Sequence, residues 1–210
     1  MAIERGLRIH SAVFFDTGWE FPQMYKHLDK LERCVNIPIV RLTPKRSFLI
    51  ELTINRWPSI RRRWCTGRKV NAINKYVKKH NAIHLIGFAS DEINRTKSKE
   101  MSKKAVMFPL IEWGVTEKDA LAYCLSKGFS WGGLYNHFSR VSCFCCPLKK
   151  IGDYRNIRKH YPELWGRMLA FDRLLVSPNR GFYGTRTVYD LDDRFAEEDR
   201  QMCLPLCNVA

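Results

Sequence analysis

Three short apolar runs, separated by stretches of helical spacing, constrain this chain more than any other feature. Ser11 to Asp16 reads Ser-Ala-Val-Phe-Phe-Asp and ends at Thr17-Gly18; Ile37 to Leu42 is the second run and Ala82 to Ala89 the third. Runs this short and this apolar read as buried strands. Between the first two, Phe21, Met24, Tyr25, Leu28 and Leu31 recur every three or four residues, which makes Pro22 to Cys34 an amphipathic helix with proline in its first turn. After a less periodic stretch through Trp57-Pro58, the spacing of Val70, Ile73 and Val77 predicts a helix over Arg68 to Lys79. Strand, helix, strand, helix, strand at these lengths implies right-handed crossovers and a parallel sheet: a Rossmann-like α/β fold with helices on both faces. Ligands of such sheets sit beyond the carboxyl ends of the strands, here Asp16-Thr17-Gly18, the Arg41 to Lys45 region and Ser90-Asp91-Glu92.

The remainder reads as helical. Thr116-Glu117-Lys118-Asp119 is a capping signal for a helix running to Lys127 and stopped by Gly128, and two further helical patterns cover Ile151 to His160 and Glu163 to Leu175, with Pro162 breaking between them. The segment after Ser177 is turn-rich and then acidic. The expected organisation is one domain over residues 1–150, a helical extension over 151–176 and a partly ordered tail over 177–210. No run approaches the roughly 20 apolar residues needed to cross a bilayer, and Met-Ala-Ile-Glu-Arg lacks the order of a secretory signal. A cytoplasmic protein with no membrane contact is the expectation.

The chain carries a net charge of +15, and six acids lie between Asp190 and Asp199, so the rest is more basic still. Such a balance points to nucleic acid or another polyanion as partner. The candidate phosphate grips are Arg61, Arg62 and Arg63, and the run Arg95, Lys97, Lys99, Lys103 and Lys104, with Trp57, Trp64 and Trp131 available for stacking. A protein partner or a second copy of the chain stays open.

Eight cysteines occur, three of them within Cys143-Phe144-Cys145-Cys146-Pro147; Cys65 lies far upstream, directly after Arg61-Arg62-Arg63-Trp64. Thiolates that close repel one another unless a cation or cluster holds them, and the neighbouring arginines are expected to lower their pKa values. Cys65, Cys143, Cys145 and Cys146 are the candidate metal ligands, and four sulfurs suit either tetrahedral zinc or a 4Fe-4S cluster. Cys34 and Cys124 read as small buried residues. Cys203 and Cys207 flank Leu-Pro-Leu as a second pair without an assigned role.

Several stretches together resemble one family. Phe15-Asp16-Thr17-Gly18-Trp19-Glu20-Phe21-Pro22, Arg63-Trp64-Cys65-Thr66-Gly67-Arg68-Lys69, Ile86-Gly87-Phe88-Ala89-Ser90-Asp91-Glu92 with Arg95, Pro109-Leu110-Ile111-Glu112-Trp113 and the Cys-Phe-Cys-Cys-Pro cluster look like the phosphoadenylylsulfate (PAPS) reductase branch of the N-type ATP pyrophosphatases. The resemblance covers about Ser11 to Lys150. It implies an adenine nucleotide held at the sheet edge by Asp16, Thr17 and Gly18, by Arg68 and Lys69 against its oxyanions, and by Asp91 and Arg95. Gly18 allows backbone to approach a ligand, and the basic side chains offer contacts to phosphate or sulfate.

Two departures shape the functional expectation. The family's Ser-Gly-Gly-x-Asp-Ser phosphate loop does not occur, since Trp131-Gly132-Gly133-Leu134 stands elsewhere and lacks the serines. Met1 to Leu7 resembles the end of the helix that follows that loop, so the chain is expected to begin inside the domain. Nor do Cys203 and Cys207, in Met-Cys-Leu-Pro-Leu-Cys, match the family's C-terminal catalytic cysteine, which disfavours reduction of PAPS to sulfite; no catalytic residue is assigned. The expected function is sulfur transfer or nucleotide activation with an iron-sulfur cluster, acting on or with nucleic acid. The alternative is a non-catalytic basic binding module with structural zinc.

Overall fold

The computed structural model of the protein describes residues 1–97, 105–175 and 181–203. The fold is Rossmann-like α/β, with short parallel strand pairs and many helices. The chain divides into two compact units that alternate in sequence. The first comprises Met1–Asp16, Pro22–Pro44 and Arg68–Leu134; the second comprises Thr17–Phe21, Lys45–Gly67 and the chain from Tyr135 onward.

In the first unit, β1 (Ala12–Phe15) pairs in parallel with β2 (Ile39–Leu42), Ala12 opposite Ile39 and Phe15 opposite Leu42, with helix α1 (Pro22–Val35) between them in sequence. Phe15, Leu28 and Ile39 are buried, as the apolar spacing requires. The third expected strand is much shorter than Ala82 to Ala89. β3 holds only His84–Leu85 and pairs not with β1 or β2 but with β4 (Val106–Met107), a strand that the hydrophobic pattern did not mark. The ladder ends at Met107 for a physical reason: two residues on, Pro109 has no N–H to donate and opens the short helix α4 (Pro109–Glu112). Helix α5 (Glu117–Ser126) has the anticipated cap: Thr116 accepts from the Asp119 amide and Asp119 accepts from the Thr116 amide.

The second unit is helical around an aromatic core. Helix α2 (Phe48–Asn55) was not expected, because Phe-Leu-Ile-Glu-Leu-Thr-Ile-Asn is too uniformly apolar to show a period. Ser47 caps it, Phe48 and Leu52 are buried, and Arg56, at a left-handed φ of 61°, stops it. Helix α3 (Trp64–Lys79) starts earlier than its period suggests, so Cys65 sits in its first turn; Trp64 to Gly67 belong to this second unit and the remainder to the first.

Helices α6 (Ile151–His160) and α7 (Pro162–Arg173) meet as the Pro162 break implies. The acidic stretch forms α8 (Val188–Cys203), whose Val188, Leu191 and Phe195 are fully buried. Its acids answer the arginines of α6: Arg158 pairs with Asp192 at 2.8 Å and with Asp199 at 2.6 Å, and Arg155 with Glu198. Such solvent-screened pairs contribute little, so the apolar face holds the helix in place. No helix among the described residues is long and apolar enough to cross a membrane.

Leu191→Ala is expected to destabilise the protein by about 2–5 kcal/mol through the cavity it leaves. Tyr189→Ala, at an exposed position of the same helix, should change stability by less than about 0.5 kcal/mol. Urea denaturation of both variants checks the assignment of α8 to the core.

Candidate functional site

All four candidate ligand cysteines, Cys65, Cys143, Cys145 and Cys146, belong to the second unit. The loop that carries three of them is pinned by the phenylalanine between its first two cysteines. Phe144 is fully buried, its ring lies 5.5 Å from Trp19 and 6.2 Å from Phe21, and its amide donates to the Trp19 carbonyl at 3.1 Å. Two successive turns, Cys146 amide to Cys143 carbonyl and Lys149 amide to Cys146 carbonyl, fold the loop back on itself, and the Tyr154 hydroxyl donates to the Cys146 carbonyl at 2.8 Å. With Phe144 driven into the core, the thiols on either side stay together.

The surroundings of these thiols run against one expectation. The pKa values of Cys65, Cys143 and Cys145 are raised, not lowered: burial raises Cys65, followed by the charge of Cys146, and Arg63 is the least of the opposing influences. Cys145, 1% exposed, is raised well above the usual thiol range by burial and then by the charges of Cys143 and Cys146. Cys143 is raised likewise, by burial first and by Glu20 second; its thiol donates to Glu20 Oε1 at 3.1 Å. Desolvation of a thiolate outweighs exposed guanidinium groups whose field is screened by water. In the ligand-free state Cys65, Cys143 and Cys145 are therefore protonated at neutral pH.

Two groups that the sequence reading passed over complete the site. Glu20 stands in the Asp-Thr-Gly-Trp-Glu-Phe-Pro motif and meets Cys143 as above. Lys149 is 6% exposed, its Nζ lies 5.6 and 5.1 Å from the ring centres of Phe21 and Phe138, and it has no hydrogen-bond partner among the described residues. Burial lowers its pKa, while the charges of Asp153, Cys146, Cys143 and Cys145 oppose that shift. A buried ammonium with no acceptor is costly unless negative charge collects beside it, and thiolates on the adjoining loop would supply it. Its place three residues after Cys146 was the only signal available in the sequence.

The expected nucleotide residues divide between the units. Thr17 and Gly18 belong to the second, where Thr17 Oγ1 lies 3.9 Å from Cys143 Sγ and Gly18 adopts a left-handed φ of 74°. Asp16, in the first, accepts from the Tyr25 hydroxyl at 2.8 Å. Arg68 and Lys69 are exposed on α3. Asp91 accepts from the Glu117 amide at 3.2 Å, and Arg95 pairs with Glu92 at 2.8 Å over the Phe88 ring.

Of the expected nucleic-acid residues, Arg61, Arg62, Arg63 and Lys97 are exposed. Lys99, Lys103, Lys104 and Cys207 lie outside the described residues. Trp57 is not available for stacking on a ligand: it is buried, with its Nε1 donating to Asp172 at 2.7 Å. Trp64 donates to the Arg56 carbonyl and packs on Phe48, and Trp131 stacks on His27.

Among the described residues no three Cys, His, Asp or Glu side chains already stand as a metal-binding group. The donor set nonetheless fits a sulfur-ligated centre in its chemistry, with four thiols in one unit and a buried cation beside them. Loading such a centre requires the thiols to lose their protons.

The raised thiol pKa values give a signed prediction for the ligand-free protein. Stability from neutral buried thiols is fully present below the ordinary thiol pKa of about 8.5 and is lost as pH rises through the higher folded values. Glu20→Gln removes the charge that raises Cys143, so thiolate absorbance attributable to Cys143 should appear at lower pH than in the parent. An unchanged titration would show that Glu20 does not act on this thiol.

The family model of the phosphoadenosine phosphosulfate reductase domain matches residues 2–149. Two uncharacterized proteins of Methanocaldococcus jannaschii are similar. One is 26% identical over 165 residues, which is 73% of this chain and 34% of the relative; the other is 24% identical over 165 residues, 74% of this chain and 39% of the relative. The chain thus spans between a third and two-fifths of the length of these curated relatives. No solved structure matches significantly. On the strength of a match that takes in β1 to β4 and the cysteine loop, this chain belongs to the phosphoadenosine phosphosulfate reductase domain family.

Proposed function

We propose that the chain works in sulfur transfer or nucleotide activation, with a 4Fe-4S cluster held by Cys65, Cys143, Cys145 and Cys146, and that it acts on or with nucleic acid. Family membership supports the coarser part, a nucleotide- or sulfur-related role of PAPS-reductase type. The observation that carries the cluster is the coincidence, in one unit, of three loop thiols, of Cys65 within the electrostatic reach of Cys146, and of a buried Lys149 with no hydrogen-bond acceptor among the described residues. Four thiolates around one centre leave net negative charge, and a desolvated lysine beside them offsets it.

When bound, such a cluster supplies electrons or a point at which sulfur is presented. The protein's own part is to exclude water through Phe144, Trp19 and Phe21, and to hold Cys143 against Glu20, which can take the proton that Cys143 gives up on ligation. An adenine nucleotide is the proposed second ligand; its candidate residues are Thr17 and Gly18 in the second unit and Asp16, Arg68, Lys69, Asp91 and Arg95 in the first. The exposed Arg61, Arg62 and Arg63 are the proposed contacts to a polyanion.

Metal analysis and visible absorption of anaerobically purified protein, with Cys145→Ala alongside, test this reading. The expected result is iron and sulfide with a broad band at about 400 nm, lost in the variant. Stoichiometric zinc without colour would overturn the sulfur-chemistry reading in favour of a basic binding module with structural zinc.

A further inference from the structure

The second unit contains an open cleft of about 810 Å³ next to the cysteine loop. Three segments form it: the turn Pro58 to Arg61, the residues Pro147 to Lys149 that directly follow Cys146, and the hairpin Gly181 to Arg186. Its volume falls within the range of ligand sites.

Two features of its lining are unusual for a surface that solvent alone would cover. Among the described residues its charged lining is Arg61, Lys149 and Arg186, with no Asp or Glu. Large apolar and aromatic side chains face water beside these cations: Ile60 is 81% exposed, Leu148 40% and Tyr183 36%.

The hairpin that carries Tyr183 and Arg186 is closed by backbone hydrogen bonds. The Tyr183 amide donates to the Arg186 carbonyl at 2.9 Å and the Arg186 amide to the Tyr183 carbonyl at 3.1 Å. Gly184 takes a left-handed φ of 68°, and a Cβ on Gly181 would fall 2.2 Å from the Arg186 carbonyl oxygen, so only glycine allows this closure. Phe182, between them, is buried against Trp57 and Tyr154 and anchors the hairpin from below. On the opposite wall, the amides and carbonyls of Ser59 and Arg62 close on each other at 3.2 and 3.1 Å and present Ile60 and Arg61 outward.

We infer that this cleft binds single-stranded nucleic acid. A strand has backbone phosphates to meet guanidinium groups on two separate walls and unpaired bases to cover exposed rings and apolar side chains. Duplex hides its bases and cannot use the second feature. The inference rests on the nucleic-acid part of the function proposed above and sharpens it: the strand lies against Pro147 to Lys149, beside the thiols that precede them. Arg61 and Arg186 contact phosphates, and Tyr183 stacks with a base.

Fluorescence anisotropy of a labelled oligothymidylate with the full chain, over a range of salt concentrations, tests this. The parent protein should bind the single strand more tightly than a duplex of equal length. Tyr183→Ala should weaken binding about tenfold while Tyr183→Phe retains it. Arg61→Ala and Arg186→Ala should each reduce the slope of log affinity against log salt by about 0.7. Parent-like affinity and salt slope in Tyr183→Ala, Arg61→Ala and Arg186→Ala would overturn the cleft assignment and leave a nucleic-acid role elsewhere on the chain. No binding by the parent would overturn the nucleic-acid reading together with the cleft. Equal affinity for duplex, or displacement of the strand by an equal concentration of ATP, would also overturn it.

Discussion

The burial of Phe144 is the constraint on which the rest of the candidate site depends. A fully buried aromatic side chain between the first two cysteines of the run draws its neighbours Cys143 and Cys145 into the same core. The core that receives it is built by Trp19, Phe21, Phe48 and Phe171, with the Arg167 guanidinium above the Trp19 and Phe144 rings. Trp19 and Phe21 come from the Asp-Thr-Gly-Trp-Glu-Phe-Pro motif, so the segment that begins as an expected nucleotide loop is also the floor under the cysteines. Thr17 and Glu20 reach Cys143 from this same segment.

That arrangement decides the electrostatics. Charge near a thiol and water near a thiol compete, and here the exclusion of water raises Cys65, Cys143 and Cys145, outweighing Arg63 at Cys65. A protonated resting state follows for Cys65, Cys143 and Cys145, and with it a pH-dependent affinity for any metal that these cysteines take up. Lys149 belongs to the same logic: its ammonium, buried over two phenyl rings, makes sense beside a centre that carries negative charge.

Much of this was legible in the chain. The β1, α1, β2 order follows from apolar spacing alone, and the Thr116 cap and the Pro162 break fall where local chemistry puts them. Helix α2 and strand β4 were not legible, because one lacks a period and the other is two residues whose role depends on a partner strand. The four candidate cysteines come from spacing and family likeness, and the structure places them in one unit. Glu20 and Lys149 carry no such signal, since their contacts with the cysteine loop come from burial, which no local pattern encodes. The same holds for Trp57, where an aromatic ring suited to stacking proves to be core, and for the acids after Asp190, which form one side of a packed helix.

The central claim is that four cysteine sulfurs from two distant parts of the chain ligate one centre. X-ray absorption fine structure at the edge of whichever metal accompanies the anaerobically purified protein tests it most directly. The account predicts a first shell of sulfur alone at about 2.3 Å, which loses a sulfur in Cys65→Ser. A shell dominated by nitrogen or oxygen, or one unaltered by Cys65→Ser, would contradict it.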